Sequence, residues 1–376
     1  MKINYLSTSR LPTQKAYGVT IFESVRAAKK LGIDLAIYSP GSRDLQIPEG
    51  VIHLPSVKLP SSLGGFKLAR IRKMLFGINS LLIPLVALAN TEFRDSRYVW
   101  LRDPLSALVL SVIKPDKEIL LEIHHRPRGM GIVLLRILAR ARNLHFSAIS
   151  PRLLSQISND CPGINIFESP MAVPTDFFIS HGLESSKKFL RLLYIGKGQS
   201  SGFDNGLMQL VHDFSRALKV IPHQTLTFVG LEEDYKSSLS ELRDDYSIPP
   251  DKIEFVNHVP HHKVKDFLAK HNVGVLPYPE STYNNERFPI KSLEYAASEL
   301  AIIASRIESH IEILGNEKAY FYEPEVPASF ESAISEIFSD LALRKEKIAN
   351  AKNWSEGFTY EMRIKGVMGN WLGVIF

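Results

Sequence analysis

The sequence predicts an α/β protein made of two doubly wound halves, each a mostly parallel sheet with helices on both faces. Three observations carry this. The chain has 376 residues, too many for one ordinary core. Short apolar runs alternate with segments of helical periodicity, as a parallel sheet covered on both sides requires. The alternation restarts about 190 residues into the chain, so one supersecondary unit is used twice.

The first half opens with a strand at Ile3–Leu6 and a polar loop, Ser7–Tyr17. A helix follows over Gly18–Leu31, with Ile21, Val25, Ala28 and Leu31 at helical spacing; Gly32 stops it, and a strand follows at Leu35–Tyr38. Further strands are predicted at Tyr98–Leu101, Glu118–Ile123 and Phe146–Ile149. Two prolines between Ser169 and Pro174 mark the linker. The predicted boundaries are 1–168 for the first domain, 169–186 for the linker, 187–353 for the second domain and 354–376 for a closing helix that returns to the first.

In the second half, a strand at Arg191–Ile195 runs into a glycine-rich loop, Gly196 to Gly206, and an amphipathic helix over Leu207–Leu218. Strands at Thr225–Val229, Ile253–Val256, Val273–Leu276 and Ala301–Ala304 then alternate with helices at Lys263–Lys270 and Pro289–Ser298. Two such sheets facing each other would leave a cleft lined by carboxyl ends of strands, where open α/β sheets bind ligands.

Composition narrows the functional classes. The single cysteine, Cys161, excludes a disulfide framework within the chain and fits a reducing compartment. The basic start is followed by an apolar run too short for a signal peptide. The most apolar stretch, Met74–Ala89, is interrupted by Asn79, Ser80 and Pro84 and is short for the roughly 20 residues a bilayer needs. The expectation is a cytoplasmic protein, at most peripheral at the inner face of the membrane. Residues 1–180 hold 23 Lys/Arg against 13 Asp/Glu, and residues 181–376 hold 22 against 27. The basic half suggests an anionic partner, either a phosphate-bearing acceptor or a membrane surface. Lys67, Arg70, Arg72 and Lys73, leading into Met74-Leu75-Phe76, suggest the latter. No aromatic stacking platform or nucleic-acid motif accompanies the basic residues, so nucleic acid is not expected.

The segment richest in chemistry is Val273–Glu280 followed by Asn285–Ala297. A strand ends, a polar loop follows, and a helix starts with Pro289 at its first position. Lys291 and Glu294 share one helical face. First-turn N–H groups and the helix dipole make an anion site, and carboxylates accept hydrogen bonds from sugar hydroxyls. That set suits a ligand with both a diphosphate and hydroxylated rings.

Here the chain resembles the family-4 glycosyltransferases of the GT-B fold, which are retaining and use nucleotide sugars. Their signature is two glutamates eight apart with Phe two after the first; Glu286, Phe288 and Glu294 fit it, and Lys291-Ser-Leu-Glu-Tyr-Ala-Ala297 resembles the form common in bacterial members. The resemblance implies that Glu286 faces the donor sugar and Glu294 binds the ribose, with Phe288, Ile290 and Lys291 also at the donor. Pro289, where many members have glycine, lacks an N–H for the donor. Gly196-Lys197 resembles the family's strand end, whose cation meets the diphosphate. The second family lysine is replaced by Asn205. Gly18 matches the glycine of the N-terminal loop that meets the donor, and Val259 the strand end whose backbone meets the nucleobase. Of His124 and His125, at a strand end where many relatives place a histidine near the reacting carbon, His124 is favoured. Arg102 and Asp103 read as ion-pair residues.

The resemblance implies a hexosyltransferase-like enzyme that needs no cofactor. Its donor would be a UDP- or GDP-linked sugar and its acceptor a glycan or lipid-linked molecule, in cell-envelope polysaccharide synthesis. No Asp-x-Asp occurs, which disfavours the metal-dependent glycosyltransferase type, and His258, His261 and His262 lack a Cys or Asp pattern for a metal. The rivals are a sugar-nucleotide epimerase on the same fold and a dinucleotide-dependent oxidoreductase; against the latter, neither βα loop carries Gly-x-Gly-x-x-Gly.

Overall fold

The computed structural model describes residues 1–11, 13, 16–41, 51–55, 66–180, 189–200 and 202–376. The chain divides into two compact units, Met1–Pro170 with Tyr360–Phe376, and Met171–Thr359.

The first unit is a parallel sheet of β1 (Lys2–Leu6), β2 (Asp34–Pro40), β3 (Val51–Leu54), β4 (Tyr98–Leu101), β5 (Glu118–Ile123), β6 (Leu144–Ala148) and β7 (Ile166–Glu168), in the order β3-β2-β1-β4-β5-β6-β7. Its helices are α1 (Ala16–Lys30), α2 (Phe66–Leu88), α3 (Thr91–Asp95), α4 (Pro104–Ile113), α5 (Met130–Leu138) and α6 (Pro151–Asp160). The direction of winding reverses between β1 and β4, where a doubly wound sheet opens its ligand crevice. Central strands are buried on both faces, which is why Tyr98–Leu101 and Glu118–Ile123 read as apolar runs. Local signals start the helices: Asp103 accepts from Ser106 N–H at 2.9 Å with Pro104 following, and Ser150 accepts from Leu153 N–H at 3.2 Å with Pro151 following.

The second unit repeats the scheme with β8 (Leu190–Ile195), β11 (Gln224–Leu231), β12 (Ile253–Asn257), β13 (Val273–Leu276), β14 (Ala301–Ser305) and β15 (Ala319–Tyr322), all parallel, in the order β12-β11-β8-β13-β14-β15. The switch point falls between β8 and β13. Inside the glycine-rich loop stands a small antiparallel hairpin, β9 (Gln199–Ser200) with β10 (Phe203–Asp204). The helices are α7 (Leu207–Val220), α8 (Glu233–Asp245), α9 (His261–Leu268), α10 (Thr282–Glu286), α11 (Ile290–Ala297), α12 (Glu308–Lys318), α13 (Ser329–Ser339) and α14 (Leu341–Glu356).

The end of the chain differs from the single helix predicted over 354–376. Helix α14 stops at Glu356, residues 357–359 turn, and α15 (Tyr360–Leu372) begins afresh. In the turn, the Phe358 carbonyl accepts from Val173 N–H at 2.8 Å. An isolated bridge between Val173 and Thr359 takes the backbone out of helical register there. Helix α15 packs on α1 in the first unit, and α14 belongs to the second. The predicted Met74–Ala89 stretch falls on α2 as far as Leu88. Among the described residues no helix is long and apolar enough to cross a membrane. The side chains of Lys67, Arg70, Arg72 and Lys73 lie outside the described part of α2.

Candidate functional site

In the second unit the motif residues gather at the carboxyl end of β13. Gly274 makes this possible: a Cβ there would lie 2.3 Å from the ring of Tyr295, so α11 can sit directly on the strand. The Tyr295 hydroxyl reaches β8 and accepts from Ile195 N–H at 3.2 Å. The next strand and the helix after it support the loop: Ser305 Oγ, ending β14, donates to Tyr278 O at 2.6 Å, and Ser309 Oγ, in α12, to Asn284 O at 2.8 Å. Glu286, at the last residue of α10, and Phe288 are both buried.

Pro289 is the cap of α11 rather than its first residue. Its carbonyl accepts from Ser292 N–H at 2.8 Å, and Phe288 O accepts from Ile290 N–H at 3.0 Å. Two first-turn amides that the sequence reading left open for an anion are therefore spent inside the turn. The cause is the proline geometry, which folds the entry back on itself. Ile290 can meet a donor only through its other atoms.

Glu294 is 2% exposed and accepts from Lys291 Nζ at 2.6 Å, as their spacing predicted; His261, at the start of α9, approaches its other oxygen at 3.4 Å. The His261 ring stacks on Phe177 at 5.0 Å, which holds it there. Burial alone would push the Glu294 carboxyl up, but Lys291 and His261 outweigh it and bring the pKa down to about 2. Glu294 is thus an ionised, oriented acceptor in a dry setting. Among the described residues no three His, Cys, Asp or Glu side chains group as a metal site.

The glycine-rich loop lies against the same strand end. Gly206 has φ +81°, and a Cβ on it would fall 2.0 Å from Pro277 O, so only glycine lets the start of α7 touch the loop after β13. Asn205 braces the loop, donating to Lys197 O at 2.7 Å and Ser200 Oγ at 3.1 Å. Tyr194 OH also donates to Lys197 O, at 2.8 Å. Gly196 follows β8 with φ +154°. The Lys197 ammonium is half-exposed and paired with Glu232, which it holds below the usual carboxylate range against the opposing effect of burial. Phe203 of the hairpin stacks on Tyr283 of α10 at 4.7 Å and 2°.

A second cation stands beside this loop. The Arg287 guanidinium lies 3.8 Å from the centre of the Tyr278 ring and 5.6 Å from that of Tyr283. Among the described residues it has no carboxylate partner. Its charge is felt at Tyr194 and at His310. Burial first, and then Arg287, hold the wholly buried His310 down at about 4.

In the first unit, His124 ends β5 with its Nε2 against the Glu122 carboxylate. Glu122 is fully buried and also accepts from Arg102 Nε at 2.9 Å and from Arg363 of α15. The ion pair expected of Arg102 is thus made with Glu122, while Asp103 caps α4. Arg363 further donates to Pro170 O at 2.9 Å and Ser24 Oγ at 3.3 Å. Burial raises Glu122, yet Arg363, Arg102 and His124 together pull it well below the carboxylate range. Burial and Arg102 push His124 down to about 4 despite Glu122, so its imidazole is neutral at pH 7. His125 is exposed.

Gly18 lies inside α1, where a Cβ would fall 2.6 Å from Thr13 O; its lack of a side chain serves the approach of its own loop. Residues 12, 14 and 15 of that loop lie outside the described residues. Val259 is half-buried between β12 and α9. In the sequence His261 reads only as a candidate metal ligand, and Arg287, although it stands within the motif, carries no signal of its own. No local signal marks Glu232, 35 residues from Lys197, or Arg363, 241 residues from Glu122.

Residues 186–354 match the family described as Glycosyl transferases group 1. No curated protein matches the chain. Solved structures similar over nearly the whole chain include sucrose-phosphate synthase from Thermosynechococcus elongatus, with TM-score 0.76, 14% identity and coverage of 97% of this chain and 96% of that one. A glycosyltransferase from Rickettsia africae has TM-score 0.73, 16% identity and 98% coverage of each chain. Anabaena HepE, solved in complex with UDP and glucose, has TM-score 0.69, 11% identity and 100% coverage of each. At these identities the likeness is one of fold. The chain thus has the GT-B fold of its neighbours, and its residues 186–354 match the family model of the group 1 glycosyl transferases.

Proposed function

We propose that this chain moves a sugar from a nucleotide diphosphate sugar to a glycan or lipid-linked acceptor, with retention of configuration and without a metal. The observation that carries the reading is Glu294, ionised and fixed between Lys291 and His261 within the matched domain. A buried carboxylate with its acceptor sites oriented is a receptor for ribose hydroxyls. Lys197 in the glycine-rich loop and Arg287 beside it supply the two positive charges a departing diphosphate needs; Arg287 takes the part of the second lysine that Asn205 replaces. The neighbour solved with UDP and glucose supports this class of donor.

In the proposed reaction, the bond from the anomeric carbon to the diphosphate oxygen breaks through a transition state with oxocarbenium character. The acceptor hydroxyl forms the new bond and passes its proton to the departing diphosphate oxygen. Glu286 orients the donor sugar, and Gly196, Phe288, Ile290, Lys291 and the Val259 backbone complete the donor contacts; the family resemblance adds the neutral His124 and Gly18 of the first unit as donor residues. Retention, cell-envelope polysaccharide as the product and a cytoplasmic setting rest on the family resemblance. The test of the diphosphate assignment is calorimetric titration of Lys197→Ala and Arg287→Ala with UDP, UMP, GDP and GMP. Each variant should lose about 10–150-fold for the diphosphate that binds the wild type, the worth of a charge-assisted hydrogen bond of roughly 1.5–3 kcal/mol. The monophosphate should lose far less. An unchanged preference for diphosphate over monophosphate in both variants would remove these residues from the site.

A further inference from the structure

The first unit carries an apolar surface that its own core does not use. Among the described residues, 18 large apolar side chains are exposed, and nine of them lie on α2, α4 and α5. These helices are neighbours in one layer, α2 packing on α4 and α4 on α5. On α5, Met130 is 79% exposed, and Val133 and Ile137 continue the row at helical spacing. The inward face of the same helix is supplied by Leu135 and Leu138. On α2, Leu81, Leu82 and Leu85 are likewise exposed, opposite the buried Ile83 and Ala87. Val112, at the end of α4, is 70% exposed. Scattered exposed apolar residues are ordinary; a concentration across three adjacent helices marks an interaction surface.

Charge identifies the partner. The three helices together contain no Asp or Glu. The sequence from Ile123 to Arg142 holds five arginines and no acid, and exposed Arg140 and Arg142 follow the apolar row of α5. Lys67, Arg70, Arg72 and Lys73 belong to the first turns of α2 by sequence. A protein partner that buried such a face would have to meet its arginines with carboxylates at fixed places. A lipid surface of negative charge meets both features at once, acyl chains taking the apolar row and headgroups the basic residues.

We propose that the outer face of α2, α4 and α5 rests on an anionic lipid surface. The inference stands apart from the donor reading, since none of the exposed residues of α2, α4 and α5 is among the donor contacts. The test is flotation of the full chain with vesicles of phosphatidylglycerol or of phosphatidylcholine, at low salt and at 1 M salt, where the Debye length falls to about 3 Å. The protein should float with the anionic vesicles at low salt and be released by salt. Two variants, Met130→Glu/Val133→Glu/Ile137→Glu and Leu81→Glu/Leu85→Glu, alter only exposed positions, so circular dichroism should show an unchanged fold. Each should lose vesicle partitioning by roughly tenfold or more, since apolar contact and charge are both reversed. Failure of the wild type to float with anionic vesicles at low salt would overturn the proposal, as would equal flotation of both variants. A dimer in sedimentation that the same substitutions dissolve, without flotation, would give the face to a second copy of the chain and overturn it also.

Discussion

Replacing Glu294 by Gln removes one charge from a buried pair without changing shape. Its side chain is 3% exposed, and its oxygens are engaged by Lys291 at 2.6 Å and His261 at 3.4 Å. In the free protein, Lys291 is 23% exposed and can recover water, so the loss of stability should be about 1–3 kcal/mol, below the 3–5 typical of breaking a fully buried pair. In the complex, ribose hydroxyls would lose a charged acceptor. At roughly 1.5–3 kcal/mol this weakens nucleotide diphosphate binding by about 10–150-fold. Titration calorimetry with the diphosphate and its 2′-deoxy and 3′-deoxy forms separates ribose recognition from general damage. In the wild type, one deoxy form should bind more weakly than the parent; in Glu294→Gln that difference should largely vanish, a coupling of about 1–2 kcal/mol. A folded variant that keeps both its affinity and its discrimination against deoxyribose would refute the ribose assignment.

Three further outcomes follow from the same geometry. Activity should survive EDTA, because Lys197, Arg287 and helix dipoles take the charge a metal would otherwise carry; full loss on EDTA, restored by a divalent ion, would contradict this. Arg363→Met should destabilise the first unit by about 3–5 kcal/mol in denaturant unfolding, because it leaves one oxygen of the buried Glu122 without its cation, and a loss under 1 kcal/mol would show that Arg102 and His124 satisfy that carboxylate. Acid should weaken the fold between the ordinary histidine pKa of 6.5 and about 4, where unfolded His310 binds a proton that the buried folded form refuses. That stability is present above pH 6.5 and lost as pH falls to about 4, up to roughly 3 kcal/mol, and His310→Gln should remove its share of this slope, leaving that of His124, which burial also holds at about 4.

What the sequence made legible follows from where physics is local. Strands β4, β5 and β13 are buried on both faces, so their apolar runs coincide with the observed bounds. Strands β3 and β7, at the sheet edges and only 4 and 3 residues long, have mixed polarity and escaped notice. The pairing of Lys291 with Glu294 was readable because a helix brings residues three apart together. The clamp of Arg363 on Glu122 was not, since only the tertiary fold joins them. The turn at Pro289 falls between: proline signalled the helix start, but the consumption of the Ile290 and Ser292 amides depends on backbone angles that sequence leaves open.

The central claim, that the second unit receives a nucleotide diphosphate sugar, is tested most directly by a thermal-shift panel of UDP, GDP, dTDP and NAD in EDTA. At 100 times its dissociation constant, the true ligand should stabilise the protein by about 2.7 kcal/mol, and it should be one of the nucleoside diphosphates. A shift with NAD alone, or with none of the four, would contradict the account.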